Sequence, residues 1–236
     1  MTDTLFDDFW RASNLDEYTI RAFARQMAAY DADFKTSRLE YPEAAEPLPP
    51  VRSSLARIAR QRKSERVFSG RPLTKRQIAT ILSAGQAFNG PEHRSYPAAG
   101  ALYTVELFQV VFHAEAYEQS ILYYDAQAHG VVRLPGQAPV WSEVADKLNI
   151  SVEGVPQSLV LIVSFPERVV AKYGERGGRF AMLEAGAAMQ QLALTVAADS
   201  KLKGTAVGGT IDDYWRQVLG LTTTDARIVL GYLVGQ

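Results

Sequence analysis

Cysteine is absent from this chain of 236 residues. That excludes a disulfide framework, a thiolate zinc site, an iron–sulfur cluster and a cysteine nucleophile. Histidine is scarce: His93, His113 and His129 stand apart with no HExxH or comparable spacing, so no metal site is expected. The chain holds no GxxxxGK[ST], no GxGxxG and no GxSxG, which argues against a P-loop, a dinucleotide-binding fold and a nucleophile elbow. Long apolar runs are missing too. The longest uncharged stretch with helical character, Ala185–Ala198, contains Gln190 and Gln191 and is too short to span a bilayer. The N-terminus, MTDTLFDDFW, is acidic and lacks the basic and apolar regions of a secretory signal. The expectation is a soluble cytoplasmic protein that engages no membrane.

An excess of one charge is also missing: 25 Lys and Arg face 26 Asp and Glu, a net charge of −1. The balance conceals segregation. Residues 1–50 hold ten acids and five bases, residues 51–76 nine bases and one acid, Glu65, and residues 77–236 eleven bases and fifteen acids. A block of net +8 fits an anionic ligand, a nucleic acid or a solvated helix face. No aromatic residue interleaves the bases from Arg52 to Arg66 and the rest of the chain is acidic, so no nucleic-acid partner is expected.

What is present is a composition able to bury a core, 47% hydrophobic and 22% charged. Residues 15–34 read as an amphipathic helix and 41–50, with four prolines in ten residues, as a linker. The division is therefore an N-terminal helical arm with a Pro-rich linker over 1–50 and a main domain over 51–236. Helices are expected at 52–63, at 75 onward behind a Thr74/Gln77 capping box, at 141–149, at 180–199 and at 213–219 behind Asp212. Strands are expected at 105–113, 121–124, 131–134, 159–165, 202–207 and 227–234. Helices and strands mix without strict alternation, which favours α+β.

Four segments carry chemistry. Arg62, Lys63, Ser64 and Arg66 form a basic cluster at a helix end that can clamp a phosphate by bidentate hydrogen bonds, and equally fit a solvated face. Pro97, Ala98, Ala99, Gly100, Ala101 and Leu102 let backbone lie flat against a planar ring, or form a plain turn before a strand. Lys172 and Tyr173 precede the Gly-rich stretch Gly177–Gly178, read as loop. A buried Lys loses its preference for charge and could act as a base with a phenol as relay, whereas an exposed charged loop is the plainer reading. Val207, Gly208 and Gly209 permit close backbone approach to a ligand. The helix at 180–199 is lined with Ala181, Ala185, Gly186 and Ala188, which suits a close helix neighbour.

In order and approximate spacing these segments resemble the SagB-type azoline dehydrogenase branch of the flavin-dependent nitroreductase superfamily. The resemblance covers roughly 51–236. It rests on Arg62-x-Ser64-x-Arg66, on PAAGALYT where the family has PSAGALYP, on a tyrosine-rich hairpin at Leu122–Asp125, on Lys172–Tyr173 before Gly177–Arg179, and on a small-residue helix with Gln190–Gln191. Two departures stand out. Ala98 replaces the family serine, and no basic pair follows Arg227, which puts more of the phosphate contact on Arg62 and Arg66.

The resemblance implies a nitroreductase-like FMN-binding fold, with a central, mostly antiparallel sheet flanked by helices in an intertwined homodimer. It implies FMN at the dimer interface, held by Arg62, Lys63, Ser64 and Arg66, by Pro97 to Leu102 and by Val207 to Gly209. Lys172 and Tyr173 take the catalytic role. The implied activity is oxidation of peptide thiazolines and oxazolines to thiazoles and oxazoles in maturation of a bacteriocin-type peptide. The implied partners are the azoline-containing precursor peptide, a YcaO-type cyclodehydratase and a leader-peptide-binding subunit. The alternatives are an NAD(P)H-dependent nitroreductase or quinone reductase, and a flavin-free scaffold subunit of a heterocycle synthetase.

Overall fold

A computed structural model describes residues 4–29, 47–91 and 93–236. Helix α1 spans Leu5–Ser13, α2 Thr19–Ala28, α3 Ser54–Gln61, α4 Lys75–Leu82, α5 Trp141–Val144, α6 Glu167–Tyr173, α7 Arg176–Ala198 and α8 Asp212–Val218. Strand β1 spans Val105–Val111, β2 Ser120–Asp125, β3 Gly130–Arg133, β4 Ser158–Ser164, β5 Lys203–Val207 and β6 Arg227–Gly235. The strands form one sheet in the order β3-β2-β1-β4-β6-β5, and every neighbouring pair is antiparallel. The class is α+β, as expected.

Alternation along the central strands divides the core into two layers. Val105, Leu107 and Val111 of β1 pack with α4 and α7, while Phe108 and Val110 face Trp215 of α8 and Val144. Strand β4 is buried at every position, so both its faces are apolar and it reads as an unbroken hydrophobic run. Thr74 caps α4 through the expected box with Gln77.

Three local expectations change. The expected helix at 15–34 is seen as α2 over Thr19–Ala28, α1 at Leu5–Ser13 precedes it where no helix was expected, and residues 30–46, which include the end of that helix and most of the expected linker, lie outside the described residues. The long helix starts four residues before Phe180, so Gly177 and Gly178 are helical. Their smallness serves packing: a Cβ on Gly177 would lie 2.5 Å from the Val169 carbonyl, and one on Gly178 would strike the Phe6 ring. Asp212 does not cap α8 from outside; it occupies the first turn, accepting a 2.9 Å bond from the Thr210 hydroxyl.

The alanines of α7 also find a different neighbour. Ala181, Ala185 and Ala188 are buried inside the chain's own core, where large side chains would not fit between helix and sheet. The open face of α7 carries Met182, Leu183 and Gly186 instead. Among the described residues no helix is long and apolar enough to cross a membrane.

The arm folds back onto the domain. Both the Leu5 and the Phe6 backbone N–H groups donate to the Glu175 carboxylate at 3.2 Å. Asp7 pairs with Arg227 at 2.9 Å, and Glu17 with Lys147 at 3.0 Å. The Glu17–Lys147 pair, with Glu17 in solvent, is worth ~1 kcal/mol or less, while Asp7–Arg227 is partly buried. They fix where the arm lies more than how stable it is.

Candidate active site

Two of the four segments meet. Gly174, at φ 58°, ends α6 and leaves Lys172 and Tyr173 in its last turn. Both side chains then converge on the loop before β1. A Cβ built on Gly100 would lie 2.6 Å from the Tyr173 hydroxyl and 2.8 Å from the Lys172 Nζ. Only a residue without a side chain admits both groups there. The Lys172 Nζ sits 5.2 Å from the centre of the Tyr173 ring, and that ring meets Phe180 edge-on at 5.1 Å. The loop expectation for this pair fails, because 167–173 is helix. The burial expectation for Lys172 also fails. A position in the last turn of a short surface helix leaves its stem in solvent, and Lys172 is exposed while Tyr173 is half-buried.

The loop is conformationally costly. Gly100, Ala101 and Tyr103 take φ of 61°, 54° and 40°. Left-handed backbone costs an L-residue with a side chain about 1–2 kcal/mol, so surrounding contacts must impose it at Ala101 and Tyr103. Two residues absent from the sequence reading do so. Glu184 of α7 is 4% exposed, and its carboxylate accepts from the Thr104 N–H, the Thr104 hydroxyl and the Val105 N–H at 3.0, 2.9 and 2.9 Å. Arg94 donates to the Val105 carbonyl at 2.7 Å, pairs with Glu106 at 3.1 Å and lies 5.0 Å from the centre of the Tyr103 ring. Burial raises the Glu106 carboxyl, and the Arg94 charge pulls the other way. A signal for Glu184 was present: it is the one acid on the buried alanine stripe, which calls for specific partners.

The basic segment is different. Arg62, Ser64 and Arg66 are exposed and make no side-chain hydrogen bond or ion pair among the described residues, whereas Lys63 is held by Glu65 at 2.7 Å. The segment is tied to β5 by the backbone, with the Glu65 N–H donating to the Gly204 carbonyl at 2.9 Å. Burial pushes the nearby Tyr232 phenol up to about 12, with the Arg62 charge opposing. At the other end of β5, Val207 is buried, Gly208 is exposed with open space where a Cβ would project, and Gly209 packs against Asn149 and Phe23. Thus 62–66 and 207–209 flank one edge strand. Pro97, Ala98 and Ala99 sit at the mouth of the strained loop, half-buried to exposed. The hollow beside Lys63 and Gly204 and the hollow beside Ala101, Leu102 and Arg94 share no lining residue. The segments 62–66 and 97–102 therefore line separate hollows of one chain. Among the described residues, no group of three or more His, Asp and Glu could hold a metal.

The donor set fits FMN. Two guanidinium groups without an ion-pair partner among the described residues, and a hydroxyl between them, suit a phosphate dianion. The backbone at Gly208 is bare enough for a flat ring to approach, while at Gly100 the Tyr173 hydroxyl and the Lys172 Nζ stand where a Cβ would project.

Comparison with known proteins bears on the fold. A protein of Methanocaldococcus jannaschii, named among the nitroreductases, is 27% identical over 162 residues, 67% of this chain and 80% of that protein. The Escherichia coli microcin synthetase McbBCD complex, solved with truncated pro-MccB17 bound, contains a chain that superposes with a TM-score of 0.65 at 17% identity, covering 95% of this chain and 98% of that one. The NADPH:FMN oxidoreductase of Vibrio harveyi, complexed with NAD+, superposes at 0.52 with 16% identity, covering 78% of this chain and 69% of that one. At such identities the superpositions speak for fold alone. The sequence model of the Nitroreductase family matches residues 59–236, three quarters of the chain. With its six-stranded antiparallel sheet flanked by helices, the protein belongs to the nitroreductase family of flavin oxidoreductases.

Proposed function

We propose that this protein is an FMN-dependent dehydrogenase that oxidises peptide thiazolines or oxazolines to the aromatic azoles. The observation that carries the reading is the convergence of Lys172 and Tyr173 on Gly100. It sets an amine and a phenol at the loop proposed to face a flat ring. Making the azole removes two hydrogens from the ring, one as a proton and one as a hydride. Bound FMN supplies the hydride acceptor, and oxygen serves as final oxidant, without nicotinamide.

Lys172 and Tyr173 stand beside the ring carbon that loses the proton and relay it to the solvent that Lys172 faces. General-base assistance of this kind contributes typically ~10²–10⁴-fold. Arg62 and Arg66 hold the cofactor phosphate, Ser64 adds a neutral donor, and Lys63 adds positive field while paired with Glu65. Pro97 to Leu102 and Val207 to Gly209 present backbone to the flavin ring.

The separate hollows at 62–66 and 97–102 of one chain support a homodimer. A second copy can bring its 97–102 loop to the first chain's 62–66 and 207–209, so that each cofactor touches both. Met182, Leu183 and the open Gly186 of α7 give such a copy an apolar face to cover. The fold shared with a chain of a microcin synthetase complex supports a place beside a YcaO-type cyclodehydratase and a leader-peptide-binding subunit, in the maturation of a bacteriocin-type peptide.

Purified protein is expected to show flavin absorption bands. With oxygen it is expected to convert an azoline-containing peptide to the azole, with a mass loss of two hydrogens per ring. Lys172→Ala and Tyr173→Phe together should lower that rate by ~10²-fold or more with FMN retained. Azole formation at near wild-type rate would refute the role. Rapid nicotinamide-dependent reduction of nitroaromatics with no azoline turnover would favour the reductase reading, and a colourless protein that cannot be reconstituted would favour the scaffold.

A further inference from the structure

Helix α6 carries Lys172 and Tyr173, yet its own faces hold it weakly. It has seven residues and one buried side chain, Val169. Most helical stability in proteins comes from a packed face, and one buried residue does not fix a helix axis. The helix ends at Gly174, at φ 58°, with open space where a Cβ would project. A short helix that ends on such a residue can swing about it.

The N-terminal arm braces α6 at both ends. Glu175 follows Gly174 directly, and each of its carboxylate oxygens accepts from one backbone N–H in the first turn of α1, at Leu5 and Phe6. Those N–H groups have no acceptor inside their own helix, so Glu175 completes α1 as α1 holds Glu175. The Phe6 ring seats on α7 where Gly178 has no side chain. At the start of α6, Asp225 accepts from the Glu167 N–H at 3.0 Å. Two residues on, Arg227 lies opposite Ser164 of β4 and pairs with Asp7 of α1 at 2.9 Å. Between these fastenings a hollow of about 400 Å³ opens, with Phe6, Asp7 and Arg11 on one side and Pro166, Val170 and Ala171 on the other. The direction of α6 is therefore set by its braced ends more than by a packed face.

We propose that α1 braces the proton-handling pair, with Phe6 and Glu175 as positioning residues that act through the corner at Gly174 to set where Lys172 and Tyr173 stand beside Gly100. The proposal rests on the reading of Lys172 and Tyr173 as the groups that move the proton. It gives the arm, which precedes the family match at 59–236, a part in the reaction that needs no contact with substrate or cofactor.

The test uses the full chain with FMN and an azoline-containing peptide, on wild type, Phe6→Ala, Glu175→Ala and Glu175→Gln. Asp8→Ala is the control, since Asp8 is exposed and pairs with Arg11 within α1. Misplacing a reacting group by ~1 Å can cost about 10²-fold in rate. Partial loosening of the brace is therefore expected to lower kcat about tenfold in Phe6→Ala and Glu175→Ala, with KM and FMN affinity near wild type. Glu175→Gln keeps one acceptor oxygen, guards against loss of folding and falls between, while Asp8→Ala matches wild type. Because the brace acts through the pair, Phe6→Ala lowers kcat no further in protein that already carries Lys172→Ala and Tyr173→Phe. A wild-type kcat in Phe6→Ala or in Glu175→Ala overturns the proposal, and so does an equal tenfold loss in the background that lacks the pair. Amide hydrogen exchange over residues 170–178 is read on the same proteins without substrate. If wild type oxidises no azoline, the proposed function falls and the exchange decides on the brace: several-fold faster exchange in both Phe6→Ala and Glu175→Ala upholds it, and wild-type exchange overturns it.

Discussion

The segment 62–66 and the loop 97–103 are both short, both rich in residues that suggest cofactor contact, and held in opposite ways. The basic segment is anchored by backbone to β5, while Arg62, Ser64 and Arg66 extend into solvent without internal partners. The 97–103 loop is fixed by the fold: Glu184 takes three hydrogen bonds from its exit, and Arg94 grips the Val105 carbonyl and the Tyr103 ring. On the proposed reading, one region is completed by a ligand. The other is built to keep left-handed backbone in place whether or not a ligand is present. Substitution in the first should therefore cost affinity at constant stability, and substitution around the second should cost stability first.

The largest separation is expected from Arg62→Ala with Arg66→Ala. Hydrogen bonds to charged groups contribute about 1.5–3 kcal/mol each, so losing both weakens FMN binding by about 4 kcal/mol, roughly a thousandfold. The melting temperature of the flavin-free protein should barely change, because exposed, unpaired side chains contribute within ~0.5 kcal/mol. Flavin fluorescence titration and thermal unfolding of the same sample check both halves. A double variant as yellow as wild type contradicts the phosphate role.

Glu184→Gln reverses the pattern. An amide can accept some of the three bonds but turns an N–H₂ group toward the backbone donors, leaving buried N–H groups unsatisfied at about 1–3 kcal/mol each. A loss of about 3 kcal/mol in urea unfolding is expected, with the same direction in Glu184→Ala. If Glu184→Gln unfolds like wild type while its FMN affinity falls, the loop is set by the ligand and the contrast between the two regions collapses.

These two regions also show why one was more legible in the sequence than the other. Charge and spacing mark Arg62, Ser64 and Arg66, since an exposed basic cluster is readable from its own residues alone. The Thr74 cap, the apolar strand β4 and the strand β1 were legible for the same local reason. The loop's geometry was not, because it is imposed by Glu184 and Arg94, and Glu184 stands 80 residues away from Thr104. The helical state of Lys172 was missed because a helix of seven residues leaves almost no periodic signal, and its end is set by Gly174. Gly177 and Gly178 looked like turn residues, yet Gly177 serves the tight corner between α6 and α7 and Gly178 makes room for the Phe6 ring. Glycine marks close approach without saying what approaches.

The finest distinction comes from Gly100→Ala. At φ 61° the new side chain costs about 1 kcal/mol in backbone strain, measurable as a small drop in melting temperature. Its Cβ would fall 2.6 Å from the Tyr173 hydroxyl and 2.8 Å from the Lys172 Nζ, so both groups must move. They are the ends of flexible side chains, so folding tolerates the shift. Proton transfer does not, because its efficiency depends on placement at hydrogen-bond distance. The expectation is a kcat about tenfold or more lower, with KM and FMN affinity near wild type. Loss of FMN affinity in parallel with kcat would mean that Gly100 is needed for approach of the ring. Loss of kcat alone would mean that it is needed for approach of Lys172 and Tyr173. A loop already carrying Ala101 and Tyr103 in left-handed backbone has no steric reason to keep glycine at position 100 except the two groups that fill the space.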